Sequence, residues 1–130
     1  MTVATIAAWH EIARSGNARA LDQLLADDVV FHSPVVHTPQ EGKAITTQYL
    51  AAALRVFANP TFRYVREVTG ARDAVLEFQT EIDGISINGV DMPKWNDEGQ
   101  IVEFKVMIRP LKAINLIHQK MAAMLRASQA

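Results

Sequence analysis

Three strands joined by two tight turns are encoded by VLEFQTEIDGISINGVDMPKWNDEGQIVEFKVMIR, residues 75–109. Apolar and polar residues alternate along this segment, which predicts strands that bury one face and expose the other. Asp83-Gly84 supplies the first turn because glycine adopts a positive φ at little cost, and Asp97-Glu98-Gly99 supplies the second. The segment therefore predicts an antiparallel sheet. The residues expected on its inner face are Leu76, Phe78, Thr80, Ile82, Ile85, Ile87, Gly89, Asp91, Phe104, Val106 and Ile108.

Helical spacing of apolar residues dominates the chain on both sides of this segment. Between the helical regions, residues 29–31 form a β-rich run that Pro34 stops, and residues 33–42 indicate an ordered loop. Helices that pack on a run of antiparallel strands are typical of an α+β fold, and we expect a single domain over residues 1–130. Helices are predicted for residues 3–14, 18–25 and 43–57 and for a closing segment with Pro110 at its first position.

The composition of the chain limits the kinds of site and binding partner that are expected. The chain has 130 residues, of which 49% are hydrophobic and 21% charged, as in an average globular domain. It contains no cysteine, which excludes disulfides, thiolate catalysis and cysteine-ligated metal. The formal net charge is −1 without a run of like charges, so binding to nucleic acid is not expected. The absence of cysteine agrees with a reducing compartment, so we expect a cytoplasmic protein. Residues 1–16 do not match a signal peptide and no apolar stretch approaches the roughly 20 residues of a membrane span, so membrane contacts are not expected.

Two segments resemble a known family: LLADDVVFHSP, residues 24–34, and the pattern D-x-x-x-W-N-D-x-G-x-I-V from Asp91 to Val102. With the order of helices and strands, they are similar to the nuclear transport factor 2-like superfamily, particularly its SnoaL-like polyketide cyclase and ketosteroid isomerase branches. The resemblance covers nearly the whole chain. It implies a cone in which a curved, largely antiparallel mixed sheet wraps around an N-terminal helical layer, with one interior pocket for a small apolar molecule and an extra C-terminal helix.

The resemblance also assigns the positions that carry ketosteroid isomerase chemistry. The general-base aspartate of those enzymes falls at Ser33, their oxyanion-hole tyrosine at Trp9, and their second oxyanion donor, an aspartic acid, at Asp91. Serine cannot take a proton from carbon unaided, and an indole N–H donates a hydrogen bond but cannot shuttle a proton. Steroid isomerisation is therefore not expected. SnoaL-like cyclases use an inward aspartate as the acid and base of an aldol ring closure, which leaves Asp91 as the candidate catalytic residue.

Asp91 shares its strand face with Ile85 and Ile87 and is expected to point into the cone. A carboxylate in that position must be neutralised, paired or hydrated. The alternative is a solvated aspartate near the rim of a strand, or one that caps a loop. Tyr49 is interpreted as the only inward phenol and is thus a candidate partner of Asp91.

The four histidines are weaker candidates for proton exchange. His37, in the loop after Pro34, is a candidate ligand-binding residue at the pocket mouth. By strand parity His32 faces away from the pocket, and His10 and His118 are expected on the surface. Their spacing matches no compact metal-ligand motif, so neither a metal nor a cofactor is expected.

Aromatic residues with inward parity predict a large, mostly apolar cavity, which is typical of small-molecule sites. The alternative is that these side chains fill the cone as core. The candidate ligand-binding residues are Trp9, Phe31, Ser33, His37, Tyr49, Phe78, Trp95 and Phe104.

Three functions remain open from the sequence. The first is a small-molecule-binding protein, which includes an isomerase- or cyclase-type enzyme that uses Asp91 as acid and base on a hydrophobic carbonyl compound. The second is a non-catalytic ligand-binding or dimerisation module, because one fold hosts many roles. The third is a hydrolase that opens epoxides, which requires a water held between two carboxylates and an arginine.

The resemblance implies a homodimer formed through the outer face of the sheet, where charged residues alternate around Met107. The closing helix after Pro110 extends beyond the end of the isomerases. It either covers the open end of the cone or docks on the partner subunit.

Overall fold

The computed structural model describes residues 3–128. Helices occupy the first part of the chain and its end, and the strands lie mainly between them. The elements are α1 (Ala4–Ser15), a 3₁₀ turn (Ala18–Ala20), α2 (Leu21–Leu24), β1 (Leu25–His32), β2 (Gln40–Glu41), α3 (Lys43–Val56), β3 (Arg63–Thr69), β4 (Ala74–Ile82), β5 (Ile85–Trp95), β6 (Ile101–Arg109) and α4 (Leu111–Ser128).

The strands form one six-stranded sheet in the order β2-β1-β6-β5-β4-β3. Strands β1 and β6 are parallel, with Phe31 opposite Phe104, and the other neighbours are antiparallel. The mixed, curved sheet and the helices that cover it confirm the predicted α+β fold with an additional C-terminal helix.

Alternation along β4 and β5 fixes which side chains face the helices. In β5 each second residue from Ile87 to Trp95 is buried, while those between them are partly or fully exposed. Gly89 lies in this buried row by alternation, and a Cβ added there would be only 2.5 Å from Cζ of Phe78 and 2.7 Å from the backbone oxygen of Met107. The absence of a side chain at Gly89 therefore leaves room for the Phe78 ring on the inner face.

The second predicted helix is shorter than expected. Helical spacing predicted residues 18–25, but the helix ends at Leu24 and the chain is already extended at Leu25, with φ −90° and ψ 136°. Leu25 pairs with Ile101 of β6, so the sheet captures this residue four positions before the expected start at Val29. Burial of Leu25 in the sheet outweighs the helical pattern of its side chain.

The closing helix also begins later than predicted. Pro110 precedes it, and its carbonyl accepts hydrogen bonds from the N–H groups of Ala113 and Ile114. Leu111, the first residue of the helix, is 71% exposed, whereas Ala113 and Ile117 are buried against the sheet. No helix within residues 3–128 is long and apolar enough to span a membrane.

Candidate functional site

A cavity of about 260 Å³ lies between the inner face of the sheet and helices α1, α3 and α4. Its wall is mostly aliphatic and aromatic with few polar side chains, which is the usual make-up of a small-molecule site. The polar and aromatic side chains of the wall are Trp9, Phe31, Ser33, Tyr49, Phe57, Phe62, Tyr64, Phe78, Asp91, Phe104 and His118.

Asp91 projects into this cavity from the middle of β5. It lies opposite Leu76 of β4 and Val106 of β6, so its neighbours in the sheet are apolar. The residue is 8% exposed. Its carboxyl group is therefore largely removed from bulk water, which favours the protonated form.

Two hydrogen bonds connect Asp91 to the first helix. The Tyr64 hydroxyl donates to Oδ2 of Asp91 at 2.6 Å, and Nε1–H of Trp9 donates to the Tyr64 hydroxyl oxygen at 2.9 Å. An indole nitrogen is a donor only, so the direction of the first bond is fixed, and the Tyr64 O–H remains free to donate to the carboxyl group. Strand β5, strand β3 and helix α1 thus meet at one ordered polar chain.

Burial raises the pKa of Asp91 to about 7, although the Tyr64 hydrogen bond and the charge of His10 oppose the rise. Near neutral pH the carboxyl group is present in both protonation states, which suits a general acid or base. Burial, followed by the negative charge of Asp91, raises the pKa of Tyr64 well above its ordinary value. Tyr64 therefore stays protonated and acts as a hydrogen-bond donor.

A polar pair outside the cavity wall contacts the Tyr64 ring. Nε2 of His10 lies 2.6 Å from Oε1 of Glu67, and the imidazole meets the Tyr64 ring edge-on with 5.1 Å between centroids. His10 was expected on the surface, and its side chain is 34% exposed where it reaches from α1 to the edge strand β3. His10 therefore packs against the ring whose hydroxyl donates to Asp91.

The aromatic wall consists of two groups that meet at the hydrogen bond between Trp9 and Tyr64. Within each group the rings are in contact, with centroids 4.8 to 6.5 Å apart. All of these rings border the cavity. The first group contains Trp9, Phe31, Tyr49 and Phe104, and the second contains Phe57, Phe62, Tyr64 and Phe78.

Most of the candidate residues from the sequence come together at this cavity. Two do not: Trp95 is 5% exposed within the apolar core, and His37 is exposed on its loop, so neither lines the wall. Those that do line it are Trp9, Phe31, Ser33, Tyr49, Phe78, Asp91 and Phe104.

Tyr64 is the functional candidate that sequence reasoning missed. Tyr49 was interpreted as the only inward phenol, which is wrong because Tyr64 also lines the cavity and is the residue bonded to Asp91. The other residues of β3 are exposed, and the pairing of β3 with β4 is irregular between Tyr64 and Arg66, so alternation is weak here. The indication in the sequence was the two-residue spacing of Phe62 and Tyr64, which is typical of side chains on one face of a strand.

The charged side chains of the wall bear on the epoxide-opening function considered from the sequence. Among the wall residues that the structure describes, Asp91 is the only carboxylate, and neither lysine nor arginine is present. An epoxide-opening site would need a second carboxylate and an arginine, which this wall lacks. The described part of the chain also contains no group of three or more His, Asp or Glu side chains placed to hold a metal ion.

Helix α4 forms one side of the cavity. Ile117, Met121 and Leu125 line the wall from this helix, and His118 is an exposed residue that also borders the cavity. Of the two roles considered for the closing helix, covering the cone is therefore seen within the single chain. His118, expected on the surface, lies at the boundary between solvent and cavity.

Comparison with known proteins places this architecture in a family. A steroid delta-isomerase from Pseudomonas aeruginosa is 34% identical, with a TM-score of 0.91 over 97% of this chain and 92% of that one. An uncharacterized protein with a cystatin-like fold from Silicibacter pomeroyi is 32% identical, with a TM-score of 0.85 over 92% of this chain and 84% of that one. An NTF2-like protein of unknown function from Mesorhizobium loti is 20% identical with a TM-score of 0.70, over 82% of this chain and 88% of that one, and shares the fold.

No protein with a curated description matches the chain. The family model of the SnoaL-like domain matches residues 6–104, which contain Trp9, Tyr64, Asp91 and most of the cavity wall. Helix α4 lies outside the matched segment. The chain therefore belongs to the SnoaL-like domain family, within the nuclear transport factor 2-like superfamily.

Proposed function

We propose that this protein binds a hydrophobic carbonyl compound in the cavity and catalyses an isomerase- or cyclase-type proton transfer through Asp91. The observation that carries the proposal is a buried carboxyl group with a pKa of about 7 at the wall of an apolar cavity. A base of that pKa is half ionised near neutrality and can both take and return a proton. Its position in the wall, not the fold alone, supports the activity.

In the proposed reaction the Asp91 carboxylate removes a proton from the carbon beside the carbonyl group. The carbon–hydrogen electron pair moves into the carbon framework, and the carbonyl oxygen becomes an enolate oxygen. Asp91, now protonated, returns the proton to another carbon in an isomerisation, or to the alkoxide formed when the enolate attacks a second carbonyl in a ring closure. No proton is gained or lost overall.

Tyr64 acts through Asp91 in this scheme. Its hydrogen bond stabilises the carboxylate form and so opposes the effect of burial on the pKa of Asp91. Because Trp9 donates to Tyr64 and not into the cavity, the indole is not available as an oxyanion donor. The hydrogen bond from Trp9 to Tyr64 keeps the phenol hydroxyl directed at Asp91.

Ser33 supplies a donor for the enolate oxygen. Its Oγ accepts hydrogen bonds from the N–H groups of Val35 and Val36 at 3.0 and 3.3 Å, which leaves the hydroxyl hydrogen to be donated. Ser33 lines the cavity, as does the hydroxyl-bearing Tyr49. The roles are thus reversed relative to ketosteroid isomerases, because the base is at Asp91 and a neutral donor stands at position 33.

The test is hydrogen–deuterium exchange, which does not require the physiological substrate. A panel of cyclic ketones and enones is incubated with the protein in deuterated water, and loss of the α-proton signal is followed by NMR. We expect exchange with the wild type, at a rate that rises with pH and levels off above about 7, and none with Asp91→Asn. The exposed Asp28→Asn is the matched control and should exchange normally.

The alternative is a non-catalytic binding module. It predicts that members of the panel bind to both the wild type and Asp91→Asn while neither protein catalyses exchange. Exchange that is equal in the wild type and Asp91→Asn would refute the role of Asp91. Loss of exchange with retained binding in Asp91→Asn would support it.

We also propose that the protein forms a homodimer through the outer face of the sheet. Val68, Val75 and Met107 are 59%, 37% and 54% exposed there, and they occupy β3, β4 and β6. Burial of this face against a second copy would remove these apolar side chains from water.

A further inference from the structure

The electrostatics of the cavity point to a ligand class other than neutral carbonyl compounds. We propose that the cavity also binds hydrophobic organic cations, with the ammonium group against Asp91 and among the aromatic rings of the wall. Such a ligand uses the ionised form of Asp91, so it would compete with the carbonyl chemistry proposed above without depending on it.

The first argument is that the Asp91 charge has no counter-ion in the cavity. Among the described wall residues there is no lysine or arginine, and the partner of Asp91 is the neutral phenol of Tyr64. His10 is close enough to affect Asp91 electrostatically, but its imidazole is already paired with Glu67 at 2.6 Å and does not line the cavity. An ionised, buried carboxylate without a cation is unfavourable, and a cationic ligand supplies the missing charge.

The second argument is the aromatic surface around the same carboxyl group. The faces of aromatic rings carry negative electrostatic potential and attract cations whose charge lies within about 6 Å of the ring centre. Tyr64 is bonded to Asp91, Trp9 is bonded to Tyr64, and Phe78 contacts the Tyr64 ring with 6.5 Å between centroids. These three rings and the carboxyl group border the same cavity. One bound ammonium group can therefore be attracted by the charge of Asp91 and by the aromatic rings together.

The third argument is that the rest of the wall accepts an apolar group and not a second charge. The remainder of the wall is aliphatic or aromatic, including Phe57, Phe62 and Leu54, and these side chains solvate an apolar substituent but not a second charge. A small, strongly hydrated cation such as a metal ion finds too few oxygen ligands here. The matching ligand is therefore an amine or quaternary ammonium compound with one charge and an aromatic or alicyclic body.

The experiment compares benzyltrimethylammonium with neopentylbenzene, which has the same shape but carbon in place of the charged nitrogen. Binding of each is measured by calorimetry and by tryptophan fluorescence at pH 8.5 with the wild type and Asp91→Asn. Because both compounds bury the same apolar surface, the ratio of their affinities isolates the charge. We expect Asp91→Asn to lower the affinity for the cation relative to neopentylbenzene by about tenfold or more, since the variant removes the charge it contacts.

A pH series on the wild type provides a test that does not depend on the variant folding. The affinity for benzyltrimethylammonium, which does not titrate, should fall as the pH drops below the pKa of Asp91 and level off near the affinity of Asp91→Asn, because the ligand selects the ionised carboxyl group. Neopentylbenzene should show no such dependence. The titratable groups around Asp91 are Tyr64 and Glu67 of β3, His10 of α1, Tyr49 of α3 and His118 of α4.

His118 is the histidine in this set that borders the cavity itself, so a positive charge on its imidazole would also repel a bound cation. The series is therefore repeated with His118→Gln. A pH dependence that persists in His118→Gln supports the proposal, and one that disappears overturns it. Equal affinity ratios for the wild type and Asp91→Asn, or failure of benzyltrimethylammonium to bind the wild type at pH 8.5, also overturn it.

Discussion

Replacement of Asp91 by asparagine retains the size of the side chain and a carbonyl that accepts the Tyr64 hydrogen bond, but removes the titrating group. Burial holds the pKa of this carboxyl group at about 7, against an ordinary value of 3.8. The folded protein therefore binds the proton more tightly than the unfolded chain does. Wild-type stability includes this contribution fully below pH 4 and loses it as the pH rises through 7.

The size of the effect follows from the difference between the two pKa values. At 1.36 kcal/mol for each pKa unit, the wild type should lose up to about 4 kcal/mol between pH 4 and pH 8 through this group alone. The variant has no such loss. Its free energy of unfolding relative to the wild type should consequently increase with pH over this interval and become constant above about pH 7.5.

Urea unfolding at several pH values between 4.5 and 8.5, followed by tryptophan fluorescence, measures this difference. Trp9 and Trp95 are both buried and report the loss of the core. Subtraction of the two curves cancels the other titrating groups, provided that the m-values agree. A difference that stays flat with pH, or that grows toward acid, would refute the assignment of Asp91 as a buried group that is neutral in acid.

Three further substitutions test neighbouring features. Tyr64→Phe removes the donor that stabilises the Asp91 carboxylate and should raise the pKa of Asp91 further by about 1 unit, as measured by carboxyl NMR titration. Gly89→Ala places a methyl group 2.5 Å from Cζ of Phe78 and 2.7 Å from a backbone oxygen, and should lower the free energy of unfolding by about 1–3 kcal/mol in urea. Met107→Lys puts a charge on the outer sheet face and should convert the proposed dimer to a monomer in sedimentation velocity.

Each of these changes has a matched control. Tyr49→Phe removes a phenol from the same wall that is not bonded to Asp91, so the pKa of Asp91 should not change. Gly70→Ala meets mainly the exposed side chain of Asp73, which can move, and should be tolerated better than Gly89→Ala. Leu111→Lys alters an apolar residue that is 71% exposed outside the sheet and should leave the assembly intact. Equal effects of the variant and its control would contradict the corresponding argument.

Period-two alternation allowed much of the site to be predicted from sequence. Because Ile87, Gly89 and Asp91 follow each other at alternate positions, the inward direction of Asp91 could be deduced before the structure, and the 8% exposure of this residue agrees with it. Phe78 and Phe104 were placed by the same pattern and line the cavity. In a regular strand the direction of each side chain can be predicted from its position, because adjacent side chains point to opposite faces.

Prediction failed where alternation is interrupted or where loops intervene. Tyr64 is on an irregular edge strand, and its bond to Asp91 joins residues 27 positions apart, which no local pattern encodes. Trp95 has the inward parity expected of it, but it lies in the apolar core beyond the cavity wall. For His37, the loop gave no periodic constraint, and its side chain is exposed.

Strand β3 gives the site an unusual dependence on local opening. It is the last strand of the sheet, hydrogen-bonded to β4 alone, and its residues other than Tyr64 are exposed. Edge segments with few buried contacts detach at a lower free energy than the whole domain unfolds. Each detachment would carry Tyr64 away, admit solvent to Asp91 and return its acidity toward that of an ordinary aspartate. Amide exchange along β3 would report how often this opening occurs, so the backbone fluctuation at the margin of the sheet and the access of bulk water to the Asp91 proton would share one rate.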